Sequence, residues 1–89
     1  YPGYVLSQGL RGGDVENLQR YLTYLAGYIP GIPLTETTGY FGPQTEEAVR
    51  VFQEAYGIPV TGRVGALTWN TIAYVYSRLL NEQQKAGES

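Results

Sequence analysis

The chain has no cysteine and no histidine. Without cysteine, neither a disulfide nor a thiolate reinforces so small a protein. Without histidine, the commonest metal ligand and the commonest general base are both missing. Zinc chemistry and Ser-His or Cys-His catalysis are therefore excluded within these 89 residues, and Ser7, Ser77 and Ser89 have nothing to activate them. No enzyme activity, metal site or cofactor is expected. Charge is sparse too. Six basic residues stand singly against eight acidic ones, for a net charge of −2. A nucleic-acid backbone is held by clustered Lys and Arg, so nucleic acid is not an expected partner. No apolar run approaches the roughly 20 residues that span a bilayer, and no membrane insertion is expected. No secretory leader is visible and the first residue is not methionine. The chain reads as a single domain, core about 5–80, cut from a larger multi-modular protein.

What is plentiful is glycine, with 12 residues, and tyrosine, with 9 of the 12 aromatics. The glycines carry an internal repeat. Thr38-Gly39-Tyr40-Phe41-Gly42-Pro43-Gln44-Thr45 returns 23 positions later as Thr61-Gly62-Arg63-Val64-Gly65-Ala66-Leu67-Thr68. Both read T-G-x-(apolar)-G-x-x-T, and each precedes a segment with helical spacing. The pattern predicts a tight glycine corner, an inward apolar residue and a helix start, used twice. All four glycines are explained by backbone angles closed to other residues.

Three helices follow from the apolar periodicity. The first starts near Gly13-Asp14, with Asp14 either capping it or sitting in its first turn. Val15, Leu18, Leu22 and Leu25 form its stripe, and Gly27 and Pro30 end it. The second starts at Pro43, where a missing N–H is harmless. It carries Ala48, Val49, Phe52, Ala55 and Tyr56, and stops at Gly57 and Pro59. The third starts after Gly65 and carries Leu67, Trp69, Ile72, Ala73, Tyr76, Leu79 and Leu80. Before them, Val5, Leu6 and Leu10 are expected to anchor the N-terminal arm. Ile29, Ile32 and Leu34 are expected to be partly buried in the longest loop. A polar tail from Asn81 to Ser89 is expected to fray. Nothing reads as a strong strand. The expected fold is all-α: a small three-helix bundle with ordered glycine-rich loops and an internal helix-start repeat.

Several residues have a structural reading. Glu46 and Glu47 are adjacent on a helix and point about 100° apart, so they cannot flank a bond as an acid–base pair. Thr45 and Thr68 are placed to reach back toward their helix caps. Trp69 falls on a core stripe. Gln19 and Gln53 sit at stripe edges, where an amide can hold loop backbone groups. The tyrosines can either cover a small core or offer flat, polar-tipped area to a ligand. Tyr40 and Arg63 differ in kind. Phe41 and Val64 should turn inward, so their predecessors should turn outward from a stiff loop, where binding function concentrates. Tyr56, at the end of helix two, and Tyr28, after helix one, are further candidates.

The joined pattern Leu18-Gln19…Leu22, Gly39-Tyr40-Phe41-Gly42-Pro43-Gln44-Thr45-Glu46-Glu47-Ala48-Val49, Phe52-Gln53 and Gly62-Arg63-Val64-Gly65-Ala66-Leu67-Thr68-Trp69 resembles the peptidoglycan-binding domain family of the PGBD-like fold. That family's usual text is L-Q-x-x-L, then D-G-x-F-G-x-x-T-x-x-A-V-x-x-F-Q, then D-G-x-V-G-x-x-T-W. The resemblance runs from about Leu10 to Ile72. Thr38 and Thr61 stand where the family usually has Asp. Threonine can make a weaker version of the same turn bond, but any ligand contact by that Asp would be weakened or lost. The opening Tyr-Pro-Gly also resembles lead-ins of wall proteins of spore-forming bacteria. The resemblance implies a monomeric, non-catalytic module that holds an attached hydrolase on peptidoglycan, outside the cell at the wall or spore. It implies that Arg63 or Arg11 meets stem-peptide carboxylates, with Tyr40 and other tyrosines along peptide or sugar. A rival reading keeps the fold but makes it a protein-assembly domain without glycan affinity. A metalloprotease propeptide, also of this fold, would need a cysteine that is absent.

Overall fold

A computed structural model of the chain describes residues 1–33 and 36–88, with side chains as far as Gln83. Leu34 and Ser89 lie outside the described residues. Three helices are present: α1 (Gly13–Leu25), α2 (Pro43–Ala55) and α3 (Ala66–Glu88). Among the described residues there is no strand, only two isolated antiparallel bridges, Leu6 with Val64 and Arg11 with Tyr40.

Each helix starts on a glycine. The amides of Glu16, Glu46 and Trp69 donate to the carbonyls of Gly12, Gly42 and Gly65 at 3.2, 3.0 and 2.9 Å. Asp14 therefore lies in the first turn of α1, not at its cap, and no side chain caps α1 or α2. Pro43 opens α2 as expected. Val15, Leu18, Leu22 and Leu25 are fully buried, and so are Ala48, Val49 and Phe52. Trp69 and Ile72 are core residues, joined by Val75. Phe41 and Val64 are fully buried, so both corners turn their apolar residue inward.

Five expectations need correction. Leu67 is 59% exposed; it lies two positions from Trp69, about 200° round the helix, and so faces away from the core. Ala55 is exposed because it falls just outside the arc spanned by Thr45, Ala48, Val49, Phe52 and Gln53. Tyr56, also exposed, rests its ring on Phe52 with centroids 4.7 Å apart. Val5 is exposed while Leu6 is fully buried, as alternation along an extended arm requires. The residues from Asn81 do not fray but continue α3 to Glu88. They lack an apolar stripe, yet Glu, Gln, Lys and Ala favour helix, and Arg78 pairs with Glu82 one turn on.

The tyrosines divide. Tyr21 packs between Trp69 at 5.9 Å and Tyr76 at 4.7 Å, and Tyr24 meets Tyr76 at 5.1 Å. The partners ascend together, so α1 and α3 run roughly parallel, and these rings seal the edge of the core. Tyr4 donates to Asp14 Oδ2 at 2.5 Å. That bond pushes the Tyr4 phenol up and pins the arm to α1.

Only the first glycine of each corner is left-handed, with φ +79° at Gly39 and +76° at Gly62. Gly42 has an ordinary φ of −100° and is small because a Cβ there would stand 3.1 Å from the Tyr40 ring. At Gly62 a Cβ would also lie 2.9 Å from Glu46 Cγ, whereas at Gly65 it would meet nothing within 4 Å. Gly62→Ala should therefore destabilise the fold by about 1 kcal/mol or more. Gly65→Ser should stay within about 0.5 kcal/mol of the parent. Equal urea midpoints for the two variants would contradict this account of the corners.

Candidate functional site

Both corners are built by the same device. Gln19 projects from α1 with 1% exposure. Its Oε1 accepts the amides of Thr38 and Gly39, both at 2.9 Å. Its Nε2 donates to the Tyr40 carbonyl at 2.8 Å and to Thr45 Oγ1 at 3.1 Å. Gln53 does the same from α2. Its Oε1 accepts from Thr61 and Gly62 at 2.9 and 3.0 Å, and its Nε2 donates to the Arg63 carbonyl at 2.9 Å and Thr68 Oγ1 at 3.1 Å. A primary amide has two donors and one twice-accepting oxygen; both are used in full. The expected role of the two glutamines holds. Thr45 and Thr68 serve the glutamines, and Thr45 makes no cap bond.

The two threonines that stand in for Asp keep the turn. Thr38 Oγ1 accepts the Tyr40 amide at 3.2 Å, and Thr61 Oγ1 the Arg63 amide at 3.1 Å. Residue 40 or 63 thus has its N–H held by threonine and its carbonyl by glutamine, leaving only the side chain free.

The N-terminal arm places the corners side by side. Leu6 and Val64 exchange backbone bonds of 3.0 and 2.8 Å. Further along, the amides of Gly9 and Gly12 donate to the carbonyls of Phe41 and Gly39, and the Phe41 amide to that of Leu10, at 2.8–2.9 Å. The sequence reading gave the arm apolar anchors but not this bridging. Its register depends on pairing with residues 27 to 58 positions away, which no local pattern encodes.

Arg11 and Tyr40 come together at the first corner, and the Leu6–Val64 bridge ties the second corner, which carries Arg63, to the same arm. Arg63 is exposed. Tyr40 is half-buried, its ring 4.3 Å beneath the Arg11 guanidinium, a cation–π arrangement. Tyr28 is elsewhere. It follows the distal end of α1, stacked on Tyr24 at 5.4 Å and accepting from Gln83 on α3. Its hydrogen bond with Tyr24 pushes the Tyr24 phenol up to about 12. Tyr56 lines neither groove described next.

Each corner opens beside a groove at its helix start. The groove at α2, about 210 Å³, is lined by Thr38, Tyr40, Pro43 and Gln44 with Glu36 on its rim. Its counterpart at α3, about 650 Å³, is lined by Thr61, Arg63, Ala66 and Leu67 with Val5 and Pro59. The ion pairs among the described residues are Arg20–Glu16, Arg50–Glu46 and Arg78–Glu82, each four apart on one helix. Arg11 and Arg63, both on the corner face, take part in none of them. Among the described residues no cluster of His, Cys, Asp or Glu is suited to a metal, and no helix is long and apolar enough to cross a membrane.

A rigid three-helix scaffold that presents two uncompensated guanidinium groups beside shallow grooves is a binding module. Residues 11–72 match the family model of the peptidoglycan binding domain. The chain is 40% identical to the zinc D-Ala-D-Ala carboxypeptidase of Streptomyces albus G over 75% of its length and 25% of the relative's. It is also 40% identical to a spore cortex-lytic enzyme of Bacillus cereus, over 76% and 24%. The solved SleB N-terminal domain aligns with a TM-score of 0.75 and 33% identity, covering 85% of this chain and 97% of that one. The chain belongs to the peptidoglycan binding domain family, and it is a peptidoglycan-binding module. It spans about a quarter of the two enzymes it matches.

Because the clamp amide both donates and accepts, neither half of it can be spared. Gln53→Glu keeps the shape but loses both N–H donors when ionised. We expect a loss of about 2–4 kcal/mol at pH 7. Burial raises the folded-state pKa of such a carboxyl above its unfolded value. The variant should therefore gain stability relative to the parent as pH falls from 7 to 4. Denaturant titration at both pH values checks this; a pH-independent difference would show that the donors do not matter.

Proposed function

We propose that the module anchors an attached cell-wall hydrolase or wall protein to peptidoglycan through its corner face, as a monomer and without catalysing any covalent step. The observation that carries this reading is the pair Arg11 and Arg63. They face solvent from backbone that is held rigid, with no carboxylate partner among the described residues. Peptidoglycan stem peptides present carboxylates, and guanidinium–carboxylate pairs are strong, directional contacts. The Tyr40 ring beside them supplies flat area for peptide or sugar. Tyr28 and Tyr56 fall outside this contact surface.

A weak anchor suffices on an insoluble polymer, because retention multiplies encounters between an attached enzyme and its substrate. The hydrolase names among the relatives support such an attachment, and they support placement at the cell wall or spore cortex, outside the cell. The assembly-domain reading retains one specific observation in its favour: both corners carry threonine where an acidic residue is usual in the family.

Co-sedimentation with purified insoluble peptidoglycan tests the proposal. The module should pellet at low salt and be released progressively as salt rises. Arg63→Ala should reduce retention several-fold, the joint Arg11→Ala change more so, and Tyr28→Ala and Tyr56→Ala not at all. A folded module that stays in the supernatant at low salt would leave the assembly reading in its place.

A further inference from the structure

The internal repeat supplies its own control. The two corners share backbone, glutamine clamp and threonine turn, so any difference in what their grooves accept lies in a few side chains. Where the α2 groove has Tyr40, Pro43 and Gln44, the α3 groove has Arg63, Ala66 and Leu67. Where the first has Glu36 at its rim, the second has Pro59 and Val5. The α2 groove is small, and a carboxylate borders it. The α3 groove is three times larger, cationic and walled by aliphatic groups.

Those walls are wet. Leu67 is 59% exposed and Val5 53%, and neither contributes to the core. They stand beside the Arg63 guanidinium, which takes part in no ion pair among the described residues. The first turn of α3 carries no acidic residue, whereas α1 has Asp14 and Glu16 there and α2 has Glu46. Glu46 lines a neighbouring hollow that Arg63 also borders, and its carboxylate is paired with Arg50 at 2.9 Å.

We infer that the α3 groove receives the free carboxylate end of a peptide whose last residues bear small aliphatic side chains, and that the α2 groove does not. An occupant must offer an anion and alkyl surface within one groove. A C-terminal aliphatic residue carries both on a single carbon. A carboxylate on a longer side chain separates them, a phosphate lacks the alkyl part, and a neutral sugar lacks the charge. Arg63 pairs with the carboxylate while Leu67, Val5 and Ala66 cover the alkyl groups. This deepens the wall-anchoring reading and rests on it: the module would favour peptide ends that are free over ends whose carboxylate has been consumed in an amide cross-link.

The test is titration of the full chain, followed by backbone amide shifts, with N-acetyl-alanyl-alanine, its C-terminal amide and acetate alone. The acid should perturb residues around Arg63 and Leu67 and bind about tenfold or more tightly than the amide. Arg63→Gln should abolish that preference. Leu67→Gln, which installs the residue found at the α2 counterpart, should weaken the acid several-fold. Both variants change exposed side chains, and an unchanged thermal midpoint will confirm that they fold. Equal binding of acid and amide, shifts centred on Tyr40, or acetate binding as well as the dipeptide would each overturn the inference. Wall sedimentation separates the two claims. Retention with no acid preference sinks the groove assignment and leaves the anchor. Acid preference without retention sinks the anchor and leaves the groove.

Discussion

Two buried primary amides govern this molecule. Each corner brings backbone groups into the interior, and a buried peptide group without a partner costs more than a typical hydrogen bond contributes. Gln19 and Gln53 meet that demand from one side-chain plane each, two amides on the oxygen and one carbonyl plus one hydroxyl on the nitrogen. No other uncharged side chain shares this combination at that reach. Asparagine is one methylene shorter, and a carboxylate has no donors. The clamp also couples elements in order: α1 holds the corner that starts α2, and α2 holds the corner that starts α3.

The arm completes what the clamps begin. Phe41 and Val64 seat each corner in the core, and the strap of backbone bonds from Leu6 to Gly12 fixes the distance between corners. The core itself is modest, as it must be at this length. Much of its outer edge is closed by Tyr21, Tyr24 and Tyr76 around Trp69. Tyrosine suits that place because its ring is buried against the core while its hydroxyl remains wet. Packing thus accounts for Tyr21, Tyr24 and Tyr76, while Tyr1, Tyr4, Tyr28, Tyr56 and Tyr74 are exposed and Tyr40 is paired with a cation.

Local patterns made the helices, the glycine corners and the glutamine roles legible in the sequence, since each is a relation among residues a few positions apart. The outward side of Leu67 follows from its angle to Trp69, but the stripe expected for the third helix included it and was wrong there. The strap was not: Leu6 meets Val64 across 58 positions, and only the fold decides that pairing. The end of α3 escaped because polar residues carry no apolar period, although their helix propensity and the Arg78–Glu82 pair continue the helix. Of the candidate contact residues, Arg11 and Tyr40 could be paired only once the strap was known. Tyr28 is exposed after a helix end, and nothing local shows that Gln83, 55 residues on, meets its hydroxyl.

A corner that satisfies its own backbone leaves its side-chain positions unconstrained by folding. At residue 40 or 63 the N–H and carbonyl are both engaged, so any side chain on a residue that keeps its N–H, proline excepted, leaves the clamp's bonds in place. The same holds at Gln44 and Leu67, which face away from the core. These are the positions at which the two copies differ most, Tyr40 against Arg63 and Gln44 against Leu67, while Thr, Gly and the buried partners recur. Divergence that falls mainly on exposed positions, beside the change from Phe41 to Val64 in the core, is what two recognition surfaces of different chemistry on one scaffold require. Val5 and Leu67 stand exposed beside Arg63 at the second corner, where the first has Glu36, Tyr40 and Gln44, so the two corners offer different chemistry on the same backbone.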